Sequence, residues 1–178
     1  RRNQKETLRK DNMKFKSVLL ASDFDGTLKN DDGVITDDAK YAIKYFMKNG
    51  GKFTVCTGRI FQGFHLYDPE YINAPVLLGN GAMAYDYENG KIIFNDAIQS
   101  EGLPAVNAVL KAFPDISIEF YNFEKVCAVN LNKHSEQHFT SQGINFEIIS
   151  KPEEAPLPWT KVMIAAHGCS KEVQEILD

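Results

Sequence analysis

The chain has 178 residues, 43% of them hydrophobic and 25% charged, with a formal net charge of -4. That is enough for one ordinary domain or two small ones with a real core. The negative balance excludes a bulk surface that draws nucleic acid or anionic membrane, and no apolar run reaches the roughly 20 residues of a membrane-spanning helix.

The first sixteen residues are locally basic (Arg1, Arg2, Lys5, Arg9, Lys10, Lys14, Lys16) and only weakly periodic, so residues 1–15 are expected to form a solvated tail. Met13 sits where a chain could begin, and residues 1–12 are left out of the expected fold. The run Ser17–Ser22 is continuously apolar up to its end, as in a strand buried on both faces, and it stops abruptly at Asp23-Phe24-Asp25-Gly26. Asp32-Gly33 predicts a tight turn. Thr36 can cap a helix whose first turn carries Asp37 and Asp38. Ala39, Ala42, Ile43, Phe46 and Met47 form its apolar stripe, and Gly50-Gly51 stops it.

A second strand, Lys52–Cys56, ends at Thr57-Gly58-Arg59, and a short helical stretch runs up to Asp68-Pro69. A third strand, Pro75–Leu78, ends at Gly79-Asn80-Gly81. Strand, helix, strand, helix, strand predicts an open parallel sheet with right-handed crossovers, in which chemistry sits beyond the carboxyl ends of the strands. The three polar clusters Asp23/Asp25, Thr57/Arg59 and Asn80 all fall there.

From about Tyr85 the texture changes. Met83–Tyr85 and Lys91–Phe94 predict one hairpin, and Ile116–Tyr121 and Val126–Val129 a second. Helices are expected around Val106–Phe113, over Lys133–Ser141, and from a Ser170 cap. Strands are expected at Phe146–Ile149 and Lys161–Ala166, with Trp159 as a packing anchor. Residues 16–84 thus read as an α/β core and 85–178 as a separate α+β unit. Cys56, Cys127 and Cys169 are odd in number and lack CxxC spacing, which predicts reduced thiols in a cytoplasmic protein and no zinc site. The four histidines share no metal-ligand spacing and are expected in surface or satisfied core roles.

Two carboxylates at i and i+2 after a buried strand repel one another unless a cation neutralises them or one keeps its proton. Oxygen-only donors suit Mg2+. A carboxylate is also a competent nucleophile toward phosphorus, and a second acid can protonate a leaving oxygen and then activate water. Thr57 offers a hydroxyl and a backbone N–H to phosphate oxygens. Asn80 can donate a further bond or orient substrate. Each cluster also has a plain reading, as an acidic turn, a strand end or an ordinary Asn-Gly turn, with Arg59 as a surface charge.

The run Leu19–Leu28, ending Asp23-Phe24-Asp25-Gly26-Thr27-Leu28, resembles the first signature of the haloacid dehalogenase superfamily. Val55-Cys56-Thr57-Gly58-Arg59 resembles the second signature of its Cof-type, class IIB members, and Leu77–Ala82 is similar to their Ser-Asn-Gly-Ala segment, with Gly79 in place of serine. The resemblance implies a Rossmann-like parallel sheet core, its N-terminal part only, with an inserted α+β cap domain of C2B type. It implies a phosphomonoester hydrolase of small phosphorylated metabolites, sugar phosphates foremost. Asp23 would be the nucleophile and a Mg2+ ligand. Asp25 would be the acid/base and a second Mg2+ ligand through its carbonyl. Thr57, Gly58, Arg59 and Asn80 would bind phosphate or substrate. A phosphosugar mutase and a non-catalytic binding protein remain as alternatives. The family's third signature, a lysine, and its fourth, an acidic loop, follow the cap and are not found, so an incomplete chain of impaired activity is expected.

Overall fold

The computed structural model describes residues 13–64 and 67–178, so most of the expected tail and His65 lie outside the described residues. Two compact units divide the chain: residues up to Gly58 with Tyr67–Phe94, and Arg59–Leu66 with Asn95–Asp178.

In the first unit β1 (Leu19–Ser22) pairs in parallel with β2 (Lys52–Val55), from Leu19 opposite Lys52 to Ser22 opposite Val55. The crossover is α1 (Asp37–Lys48). Its Thr36 hydroxyl accepts the Ala39 N–H at 3.2 Å, its first turn holds Asp37 and Asp38, and Ile43 is buried. Cap and acidic turn satisfy donors that a helix start leaves open. A parallel bridge between Cys56 and Leu77 sets β3 (Val76–Leu78) beside β2. β3 then pairs antiparallel with β4 (Met83–Asp86), and β5 (Lys91–Asn95) follows as the next strand of that sheet.

Three expectations change here. β1 is not buried on both faces: Leu19 and Leu20 point to opposite sides, yet are 62% and 48% exposed, because β2 is the only strand paired to β1 among the described residues. Met13–Phe15 is not a solvated tail. The Phe15 ring packs on Phe46 at 4.8 Å, and its N–H donates to the Asn49 carbonyl. The hairpin expected to open the second unit groups with the first, because β4 is hydrogen-bonded to β3; the division falls after Phe94, where 84/85 was expected.

The second unit has a four-stranded sheet in the order β8-β7-β6-β9. β6 (Ile118–Tyr121) is central, with β7 (Val126–Val129) and β9 (Lys161–Ile164) antiparallel on its two sides; β8 (Glu147–Ile148) runs parallel to β7. Alternation along β6 divides two cores. Ile118 and Phe120 pack with Trp159, with Val106 and Val109 of α3 (Leu103–Ala112) and with Val173 of α5 (Ser170–Leu177). Tyr121 packs with Val126, Ala128, Ile144, Ile60 and Phe139, the last from α4 (Lys133–Gln142). A one-residue slip of β6 would exchange the two sets, so both cores fix its register. A further short helix, α2 (Phe61–Phe64), belongs to this unit.

Candidate active site

Beyond β1 the chain coils. Phe24 is buried against Tyr67, ring centroids 5.5 Å apart, while Asp23 and Asp25 on either side of it are exposed. Anchoring the middle residue inward turns its two acidic neighbours outward. The Leu28 N–H donates to the Asp23 carbonyl and the Lys29 N–H to the Phe24 carbonyl, which closes the coil, and Gly26 takes the left-handed φ of 73° that it requires. The Thr27 hydroxyl lies 3.4 Å from Asp23 Oδ2.

Strand register carries the neighbouring residues to the same edge. The Cys56 N–H donates to the Ser22 carbonyl at 2.9 Å, and the Thr57 N–H to the Leu77 carbonyl at 2.9 Å. Asp23, Thr57 and Gly79-Asn80-Gly81 therefore leave three adjacent strands at their carboxyl ends, each strand about 4.8 Å from the next. One expectation is corrected: the Thr57 backbone N–H serves the sheet and not a phosphate. The Thr57 residue is buried, at 5% exposed. Its carbonyl accepts the Asn80 N–H at 3.1 Å, so both backbone groups of Thr57 are fixed.

Arg59 belongs to the second unit, where its Nη1 donates to the Gly63 carbonyl at 2.9 Å. The apolar hollow of about 470 Å³ lined by Val18, Leu19, Ile72, Pro75 and Tyr87 opens at the opposite, amino-terminal ends of the same strands. In parallel sheets the reactive groups gather at the other end, and the acids do so here.

Among the described residues no three His, Cys, Asp or Glu side chains come together as a metal cage. Asp23 and Asp25 fit a looser mode. Mg2+ is commonly held by one or two carboxylates, keeps several waters, and takes substrate phosphate oxygens as further ligands. Two exposed hard-oxygen donors at one strand end meet that demand.

The sequence reading missed a polar group of another kind. On β6 Glu119 is fully buried; its Oε2 accepts from the Tyr121 hydroxyl and lies 3.0 Å from His138 Nδ1. Gln142 Nε2 lies 2.7 Å from His138 Nε2. Burial, and then the Glu119 charge, pushes the Tyr121 hydroxyl well above its usual 10. Burial pulls the Lys161 ammonium below its usual value, against the attraction of Glu119. In the strand Ile118-Glu119-Phe120-Tyr121 the letters alone do not separate this acid from one on a solvent-facing side.

Comparison with known proteins agrees with this architecture. A Buchnera aphidicola protein is 29% identical over 132 residues, covering 73% of this chain and 49% of that protein. A haloacid dehalogenase-like hydrolase from Bacteroides thetaiotaomicron superposes with a TM-score of 0.78 at 19% identity, over 92% of this chain and 63% of that one. A sugar phosphatase of haloacid dehalogenase subclass IIB, BT4131, superposes at 0.74 with 21% identity, over 90% and 64%. The chain spans about half the length of the curated relatives it matches. The fold is thus the α/β haloacid dehalogenase fold with the α+β cap of subclass IIB. The family model for haloacid dehalogenase-like hydrolases matches residues 20–177, and the chain belongs to that family.

Proposed function

We propose that the protein is a Mg2+-dependent phosphomonoester hydrolase acting through an aspartyl-phosphate on a small phosphorylated metabolite, a sugar phosphate foremost. The carrying observation is the pair of exposed carboxylates, Asp23 and Asp25, flanking an anchored Phe24 at the carboxyl end of β1. The likeness to a subclass IIB sugar phosphatase supports the substrate class.

An Asp23 carboxylate oxygen attacks phosphorus, forming an O–P bond as the bond to the alcohol oxygen breaks. The Asp25 carboxyl gives its proton to that leaving oxygen. Asp25, now a carboxylate, takes a proton from water as the water oxygen attacks phosphorus; the Asp23–phosphorus bond breaks and inorganic phosphate leaves. The Thr57 hydroxyl holds a phosphoryl oxygen, and Gly58, Arg59 and Asn80 are assigned to phosphate or substrate binding. Mg2+, when held by the Asp23 carboxylate and the Asp25 carbonyl, supplies charge neutralisation.

Phosphate release from a panel of sugar phosphates with Mg2+ tests the reading. Mg2+-dependent turnover is expected. It should disappear in Asp23→Asn, which keeps the shape and removes the nucleophile. Equal turnover by parent and variant would refute the proposal.

A further inference from the structure

The turn after β3 has an unusual backbone. Gly79, Asn80 and Gly81 take φ of 59°, 59° and 95° in succession. Two glycines meet that requirement without a side-chain clash, and Asn is among the few other residues that accept it. The turn is also fastened to the loop after β2. The Asn80 N–H donates to the Thr57 carbonyl at 3.1 Å. Its side chain occupies the space that a Cβ on Gly58 would fill: a carbon built there would lie 2.7 Å from Asn80 Oδ1 and 3.5 Å from its Cγ. Gly58 has an ordinary φ, so its backbone conformation does not demand glycine. The demand comes from Asn80.

We infer that Asn80 is a positioning residue for the phosphoryl subsite: its left-handed turn locks its backbone onto Thr57 and its carboxamide onto the bare face of Gly58, holding the Thr57–Gly58 loop where the Thr57 hydroxyl meets a phosphoryl oxygen. This rests on the phosphoryl-transfer reading above. It gives Asn80 a task that does not depend on touching substrate, and it explains the pairing of a side-chain-free residue 58 with an amide at residue 80. The backbone tie and the side-chain contact are separable. Asn80→Gly keeps the left-handed turn and removes only the carboxamide, whereas Gly58→Ala forces the carboxamide away.

The test is a four-protein cycle of parent, Gly58→Ala, Asn80→Gly and the double variant. The probe is beryllium fluoride with Mg2+, which adds to a carboxylate as a phosphoryl mimic, titrated by 19F NMR; thermal melting is recorded alongside. Each single variant is expected to weaken adduct formation roughly tenfold or more, as small displacements at a reacting site do, with the melting transition kept. The double variant should bind no more weakly than Asn80→Gly alone, because the alanine then meets no amide. An adduct in Asn80→Gly as tight as in the parent overturns the inference, and so do losses that simply add in the double variant. Asn80→Gly settles the matter even if Gly58→Ala does not fold. Should the parent form no adduct and behave as Asp23→Asn does, the phosphoryl-transfer reading falls and this inference with it. An adduct in the parent that is indifferent to both substitutions removes this inference alone.

Discussion

Tyr121 and Glu119 show what burial does to single groups. The Tyr121 hydroxyl donates to a carboxylate with no solvent access, and ionising it would set two negative oxygens against each other in a dry site. Burial likewise raises the Tyr67 hydroxyl above its usual 10, with the Asp68 charge adding to the effect. The unfolded chain gives up these protons near pH 10 while the folded protein keeps them. Stability is therefore fully present below pH 10 and declines as pH rises above it, by roughly 1 kcal/mol per pH unit for each such tyrosine. Urea midpoints measured from pH 8 to 11 should hold steady and then fall above 10. Midpoints that stay level up to pH 11 would contradict it. The place of Asp23 and Thr57 at strand ends was legible in the sequence because strand ends are marked by an abrupt change from apolar to polar letters. Glu119 was not, since an acid inside a strand is written like an acid on a surface. The commitment of the Thr57 N–H to Leu77 was also hidden: it depends on which strand lies beside β2, a fact of register and not of residue type.

One helix start was read correctly from its capping side chain. Thr36 behaves as expected. At α4 the Asn132 side chain accepts the N–H groups of both His134 and Ser135 at 3.0 Å, and Gly143 closes the helix in the left-handed conformation at φ 65°. α4 has a mostly polar surface and buries Ser135 and Phe139, so its ends contribute a large share of its stability. Asn132→Ala should cost about 1 kcal/mol, read as a lower urea midpoint with an unchanged slope. No shift would mean that packing by Phe139 holds the helix without its cap. The expected Ser170 cap fails for a physical reason. The Ser170 hydroxyl donates backwards to the Ala166 carbonyl, and Cys169 takes the cap position with no side-chain bond. A serine can bond to the turn before it as readily as to the helix after it, and the sequence does not say which. The strand expected over Phe146–Ile149 shrinks to the two residues of β8, because only Cys127 and Ala128 pair with it.

The whole chain presents apolar surface along one strand edge. Val18, Leu19 and Leu20 are 45%, 62% and 48% exposed, and among the described residues β1 has no strand on the side away from β2. The continuous apolar run by itself fits a covered and an uncovered strand alike, since covering depends on what lies next to it. An open edge of this kind offers unpaired backbone groups and uncovered side chains to another copy. Two copies meeting edge to edge about a two-fold axis would each contribute the same strand, so any gain per residue counts twice. Covering the exposed part of Leu19 is worth about 1 to 2 kcal/mol per copy. The purified chain should therefore associate in a concentration-dependent way, measurable by sedimentation equilibrium. Leu19→Lys puts a charge on that edge at a residue already mostly in water, so the monomer should keep its circular dichroism and its melting transition. Its dissociation constant should rise roughly tenfold or more, since about 1.4 kcal/mol corresponds to one factor of ten. A parent that stays monomeric at every concentration would show that water tolerates this edge. Association equally strong in Leu19→Lys would move the contact to other exposed apolar side chains, of which Ile92, Ile93 and Phe94 on β5 are the next cluster along the chain.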